Sequence, residues 1–161
     1  MTPHFSDQTH QAHKFFTMLP QDWQDEIVPF WDAYQDACHL YTIETGATLI
    51  GGGIVFTSMP PDLRYYEHEA QKLFDLGFLY FGYLWLHPAY RGQGLGSFWL
   101  EAVKKAYPEN PLWLAIEDYG LKPFYEKNGF RIYREMILPH GSEWLMVSVE
   151  LPPVSMSEDR F

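Results

Sequence analysis

The order of apolar patterns along the chain predicts an α+β (mixed α/β) fold with one central sheet. Three observations carry that prediction. The stretch Phe78 to Leu86 is apolar almost throughout and reads as a buried strand. A glycine-rich run, Tyr90-Arg-Gly-Gln-Gly-Leu-Gly-Ser97, links it to a helical stretch over Phe98 to Ala106. Hairpin-like pairs of strands stand on either side in sequence, one before residue 60 and one after residue 129. A length of 161 residues fits one domain over 1–161, with 1–19 as a lead-in and 155–161 as a polar tail.

The elements follow in order. Residues 1–19 are a polar lead-in with helical character but no strand pattern. Pro20 suits a first helical turn. After it, Trp23, Ile27, Trp31, Tyr34 and Cys38 recur at three- and four-residue steps. Pro29 interrupts this run, which gives two short helices or one kinked helix. Leu40 to Glu44 and Thr48 to Ser58 read as a hairpin around Gly46. Gly51-Gly52-Gly53 inside the second strand marks a bulge or a close backbone approach. Asp62, after Pro60-Pro61, reads as the N-cap of a helix whose buried face is Leu63, Tyr66, Ala70, Leu73 and Phe74. Gly77 ends it. Beyond the glycine run come a strand over Leu112 to Glu117 and a short helix over Pro123 to Asn128. Gly129 stands where a left-handed residue closes a helix. Two last strands, Phe130 to Leu138 and Glu143 to Leu151, flank Pro139-His140-Gly141, and Pro152-Pro153 ends the sheet.

Composition narrows the function classes. A net charge of −10 argues against nucleic acid and against anionic membrane surfaces, since both need clustered Lys and Arg. The N-terminus lacks an apolar signal core, and no apolar stretch approaches the ~20 residues a membrane helix needs. Cys38 is the only cysteine, so no intrachain disulfide forms. These features point to a cytoplasmic protein. Seven histidines are scattered without metal-ligand spacing, and His10 and His13 read as a solvated helix face, so no metal is expected.

The glycine run is the feature with chemistry in it. Glycines at alternate positions leave backbone N–H groups unshielded in front of a helix N-terminus, which favours a phosphate or pyrophosphate. A Walker loop needs a Lys before its Ser or Thr, and Gly96-Ser97-Phe98 has none. A dinucleotide fingerprint starting at Gly92 needs a glycine at Ser97. The pattern R-x-x-G-x-G is met by Arg91, Gly94 and Gly96.

That pattern, following a strand that ends in Leu86-His87-Pro88, resembles the acetyl-CoA-binding motif of the GNAT superfamily of N-acetyltransferases. A second segment, Phe124-Tyr125-Glu126-Lys127-Asn128-Gly129-Phe130, is similar to the family's late helix and following strand in the form F-Y-x-x-x-G-F. The resemblance covers about residues 40 to 150. It implies a GNAT-like acyl-CoA N-acyltransferase fold, with a mostly antiparallel sheet splayed at the cofactor site. It also implies transfer of an acetyl group from acetyl-CoA to a primary amine of a small molecule or peptide. In that comparison Arg91, Gly92, Gln93, Gly94, Leu95, Gly96 and Ser97 cradle the pyrophosphate. The backbone near Leu86 holds the pantetheine arm and polarises the thioester carbonyl.

Tyr125 matches the family's usual general acid. A phenol titrates near ~10 and a thiol near ~8.5, so full proton transfer to the thiolate is uphill by roughly 2 kcal/mol. A hydrogen bond to the developing thiolate therefore counts for more than complete transfer. A packed helix aromatic is the plainer account of the same residue. Some relatives carry a carboxylate base on the strand before the glycine motif, but Phe78 to Leu86 contains no Asp or Glu. Glu67 is assigned as base, acting through water from the preceding helix, and Glu69 and Tyr80 as acceptor-binding residues; solvated helix charges are the alternative for both glutamates. His68 and His87 are weaker candidates, and His87 marks a strand end. Where relatives often have Asn, seven residues before the motif tyrosine, this chain has Asp118, which repels phosphate. These departures keep a second reading open, a non-catalytic acyl-CoA-binding regulatory module. The family's first strand has no counterpart in residues 1–19. Either the sheet lacks it or a partner supplies it, and an open edge then favours a homodimer or peptide addition.

Overall fold

A computed structural model describes residues 2–151. The polar tail and Pro152-Pro153 lie outside the described residues. Seven strands and six α-helices follow the chain: β1 (His4–Asp7), α1 (His13–Met18), α2 (Gln21–Ile27), α3 (Trp31–Tyr34), β2 (Cys38–Thr45), β3 (Thr48–Phe56), α4 (Glu67–Asp75), β4 (Leu79–Leu86), α5 (Leu95–Ala106), β5 (Leu112–Ile116), α6 (Lys122–Lys127), β6 (Arg131–Leu138) and β7 (Gly141–Val147). The strands form one sheet in the order β1-β2-β3-β4-β5-β7-β6.

Two sequence expectations need correction. The first strand is present: β1 pairs antiparallel with β2 from His4↔Glu44 to Asp7↔Tyr41. Four residues carry too little alternation to reveal a strand. Asp7 anchors it instead: its carboxylate accepts from the Thr9 backbone N–H at 2.9 Å and from the Thr9 hydroxyl, and meets His39 Nδ1 at 2.9 Å. The edge of β2 is thus covered within the chain, which removes the argument for a dimer built on a missing strand. Second, the helix expected from residue 62 opens as a 3-10 turn over Pro61–Tyr66, and α4 begins only at Glu67. Pro29 sits in a 3-10 turn over Val28–Phe30 that separates α2 from α3, which resolves that ambiguity toward short separate helices.

Strand alternation divides the core between the two faces of the sheet. On one face Leu40, Ile54, Phe56 and Trp113 pack with Phe15, Phe16, Ile27, Trp31 and Leu73 of α1 to α4. On the other, Ile43, Val55, Phe81 and Leu114 pack with Trp99 and Val103 of α5 and Tyr125 of α6. The glycines of β3 let α5 approach closely: a Cβ at Gly53 would lie 2.7 Å from the Trp99 ring.

The feature that creates a site is the junction of β4 and β5. They form the sheet's parallel pair, and pairing stops after Leu79↔Leu112 and Tyr80↔Trp113. Past Tyr80 the strands part. On the other edge of β4, the register with β3 slips between Gly52 and Ile54. Opposite that slip Tyr83 adopts φ +57°, a left-handed conformation costing roughly 1–2 kcal/mol in a non-glycine residue. The bulge bends β4 away from β5 and opens a wedge between them.

Candidate active site

The wedge is a cavity of about 460 Å³ between Tyr80–Leu84 of β4 and Leu114–Asp118 at the end of β5. Its donor side begins where β4 ends. Leu86 stands opposite Gly51, and the next N–H, of His87, bonds the Ile50 carbonyl at 2.8 Å. Alternation then turns the Leu86 N–H and C=O to the open edge. The Leu86 carbonyl is met there by Arg91 Nε at 3.0 Å, and the Arg91 guanidinium lies 4.3 Å over the Trp85 ring. Arg91 therefore latches the glycine loop to the strand end.

The loop itself is exposed from Arg91 to Gly94, and Leu95 and Gly96 are buried in the first turn of α5. Gly92 and Gly94 both have φ +78°, so the loop needs glycine at each. Gly94 is the N-cap of the twelve-residue α5 and no side chain caps that end. The N–H groups of Gln93 to Ser97 thus surround an accessible helix terminus, with its partial positive charge, suited to a pyrophosphate. At Gly96 a Cβ would fall 2.9 Å from the Phe124 ring, so this glycine lets α6 approach α5.

That approach carries Tyr125 into the wedge. Tyr125 is 7% exposed, lines the cavity, and packs against Phe81 and Phe130 with ring centroids 6.2 and 6.1 Å away. Burial pushes its phenol well above the ordinary range. Asp118 accepts the Gly120 N–H at 2.8 Å, capping the turn that leads into α6. Asp118 thereby helps set the position of Tyr125, a task an aspartate performs as well as an asparagine.

The opposite end of the cavity is aromatic and acidic. Trp23, Tyr65, Tyr66 and Tyr83 line it with Glu26, Glu117 and Glu143. Trp23 of α2 packs edge-on against Tyr83 and Trp85, at 5.9 and 5.5 Å. Burial, then the negative charge of Glu117, raise the Glu26 carboxyl; a 3.4 Å hydrogen bond from the Tyr83 hydroxyl works the other way. Glu143 is 8% exposed and accepts from the Tyr66 hydroxyl at 3.1 Å. Against these carboxylates the lining has, among the described residues, a single permanent cation, Arg64.

Of the residues assigned from sequence, Leu86, the Arg91–Ser97 loop, Tyr80 and Tyr125 gather at the wedge or its donor end. Tyr80 is buried between Phe56 and Trp113, at 5.5 and 4.6 Å, so it is chiefly wall. Glu67 and Glu69 do not line the cavity. Glu67 is exposed in the first turn of α4. Glu69 is buried and committed elsewhere, accepting from the Tyr133 hydroxyl and from Arg134 Nη1 at 3.0 Å, which ties α4 to β6. The late start of α4 is the reason: its acidic face turns to β6 and solvent rather than to the wedge. His87 caps its own turn through the Ala89 N–H. Sequence reading missed Glu26, Glu117, His140 and Glu143. They come from three separate segments, with His140 and Glu143 sharing the β6–β7 hairpin, and no motif joins the segments.

Comparison with known proteins gives concordant findings. The family profile of the acetyltransferase (GNAT) domain matches residues 36–132, more than half of the chain. No curated protein matches the chain. Among solved structures, one described as a GNAT-family acetyltransferase from Desulfovibrio desulfuricans aligns with TM-score 0.68 at 12% identity, covering 91% of this chain and 98% of that one. Aminoglycoside acetyltransferase AAC(6')-Ib, in complex with coenzyme A and kanamycin, aligns with TM-score 0.66 at 18% identity, covering 91% and 94%. An aminoglycoside 6'-N-acetyltransferase complexed with coenzyme A aligns with TM-score 0.66 at 12% identity, covering 95% and 100%. At these identities the likeness is one of fold.

Proposed function

The chain belongs to the GNAT family of acetyltransferases, and from that premise we propose that it transfers the acetyl group of acetyl-CoA to a primary amine of a small molecule or peptide by direct attack. The observation that carries this reading is the parting of β4 from β5 immediately after Tyr80, with the glycine loop at one end and buried Tyr125 in the gap. The acetyl donor supplies an activated carbonyl and a thiol leaving group; the remaining tasks fall to the chain. Backbone N–H groups of Gln93 to Ser97 hold the pyrophosphate. The open edge of β4 pairs with the pantetheine amides as a further strand would. A backbone N–H of that edge, at or near Leu86, faces the carbonyl oxygen and stabilises negative charge there; one such donor contributes about 10²–10³-fold in rate.

Tyr125 supplies a proton, or a hydrogen bond, to the sulfur as the C–S bond breaks. Burial raises its pKa, which makes outright transfer to the thiolate still more uphill, so the hydrogen bond to the developing thiolate is the larger part of this role. The acidic wall supports an amine acceptor, since it attracts an ammonium group and leaves it among carboxylates. The aminoglycoside substrates of the neighbours AAC(6')-Ib and its counterpart are polyamines of this charge type. Antibiotic, polyamine, amino acid and peptide amines all suit this charge pattern.

Calorimetric titration with acetyl-CoA tests the donor half. One site of micromolar or better affinity is expected, and absence of binding at millimolar donor overturns the reading. Tight binding with no turnover across a panel of primary amines would instead support the regulatory module.

A further inference from the structure

We propose that His140 is the base that takes the proton of the acceptor amine, and that Glu143 is the positioning residue that fixes it; this rests on the acetyltransferase reading above. His140 lies in the turn between β6 and β7, and Glu143 is the third residue of β7. The pairing Ile116↔Trp144 brings that turn beside the end of β5, and both residues line the wedge together with Tyr125.

Glu143 has both oxygens engaged. Oε1 accepts from the Tyr66 hydroxyl and Oε2 meets His140 Nε2, each at 3.1 Å. A buried carboxylate held on both sides offers a fixed anchor. An ionised carboxylate only accepts, so the proton of the neutral imidazole sits on Nε2 and the lone pair on Nδ1. The imidazole is thereby held in one tautomer with its basic nitrogen directed away from Glu143. Tyr65 packs edge-on to the ring at 5.2 Å and restricts its rotation. The His140 side chain is 45% exposed and the Glu143 side chain 11%, so His140 can pass a proton to water while its anchor stays dry.

The surroundings agree with this role. A ligand atom of Glu117, at the end of β5, lies within 4.8 Å of those of His140 and Glu143. Its exposed carboxylate draws an ammonium group beside the imidazole. The other charged groups facing the site are Glu26 from α2, Asp118 just after β5, which accepts the Gly120 N–H, and Arg64 from the turn before α4. Glu26 accepts from the Tyr83 hydroxyl at 3.4 Å.

The proton balance closes. His140 Nδ1 takes one proton from the ammonium and releases it to solvent. The neutral amine attacks the thioester carbonyl, a C–N bond forms, and the C–S bond breaks. Tyr125 gives its proton to the departing sulfur and is restored by the second proton of the new amide nitrogen. The products are the N-acetyl amine, free CoA and one proton.

The test uses the full chain with acetyl-CoA and an amine that it acetylates. His140→Ala lowers kcat about 10²–10³-fold at neutral pH, leaves acetyl-CoA affinity unchanged, and recovers in part with added imidazole. Glu143→Gln lowers kcat at least tenfold and releases the ring from its single Nε2-protonated tautomer in nitrogen-15 spectra, which a purely structural defect does not do. Nitrogen-15 spectra of the free protein show the neutral His140 ring protonated on Nε2. The assignment is overturned by His140→Ala activity within threefold of wild type, by an acid limb of the kcat profile that Glu26→Gln removes, or by a ring protonated on Nδ1. Activity lost on chelation and restored by zinc overturns it too, because the same trio would then be a metal site. A wild-type protein that acetylates no amine overturns the acetyltransferase reading itself; turnover that survives His140→Ala overturns only this assignment.

Discussion

Burial pushes the Tyr125 phenol upward, so it serves the departing sulfur as a hydrogen-bond donor more than as a strong acid. Tyr125→Phe removes the proton and leaves the packing against Phe81 and Phe130. We expect kcat to fall about 10²-fold with acetyl-CoA affinity within twofold, by steady-state kinetics and calorimetry. Glu26 gives a pH signature of its own. Burial and the charge of Glu117 raise its carboxyl, so it loses its charge at higher pH than an unperturbed glutamate does. The KM for a cationic acceptor therefore rises on acidification through mildly acid pH, and Glu26→Gln flattens that rise; an unchanged profile contradicts a place for Glu26 at the acceptor. Glu69 is a contrasting case. Glu69→Gln weakens its hold on Arg134 and Tyr133 and destabilises by about 1–3 kcal/mol in urea unfolding, with kcat unchanged. Tyr125 was legible in the sequence because its motif is local, F-Y-x-x-x-G-F on one helix and the strand after it. Glu26, His140 and Glu143 were not, because each is an ordinary surface residue until the fold gathers them.

Elements position these residues, and two of them depend on backbone that tolerates no side chain. Gly94 starts α5 at φ +78°, so Gly94→Ala strains the loop by about 1–2 kcal/mol. Calorimetry should show weaker acetyl-CoA binding with little change in acceptor KM. Gly53 lies beneath Trp99, and its replacement by Ala destabilises the protein by about 1–3 kcal/mol through overpacking. The glycine-rich elements were legible since glycine records such constraints directly. β1 was not: four half-exposed residues show no pattern, and their attachment rests on Asp7. Burial opposes the charged form of Asp7, but Thr9 and His39 outweigh it, and its pKa is lowered in the fold. A lowered folded pKa contributes stability that is present above the unfolded value of ~3.9 and is lost as pH falls through the folded value. Asp7→Asn should remove that component, seen as a smaller loss of stability between neutral and acid pH than wild type shows.

At the scale of the molecule, the seven-stranded sheet works by being incomplete. β4 and β5 share two paired positions and then separate, leaving strand edge, helix terminus and phenol around one gap. The order of elements, and with it the family, was legible from two motifs in sequence. The gap was expected from the family resemblance alone; its local cause, Tyr83 in a left-handed conformation opposite a register slip, is one that no propensity of tyrosine foretells. The lining of the gap carries Glu26, Glu117, Asp118 and Glu143 against Arg64, in keeping with the chain's net charge of −10. Among the described residues no helix is long and apolar enough to cross a membrane. The central claim is that this gap passes an acetyl group from acetyl-CoA to an amine, and thiol release from acetyl-CoA measures that directly. The account predicts release that depends on the added primary amine, saturates with it, and collapses in Tyr125→Phe. Release at the background hydrolysis rate with every amine, or release indifferent to Tyr125, would contradict it.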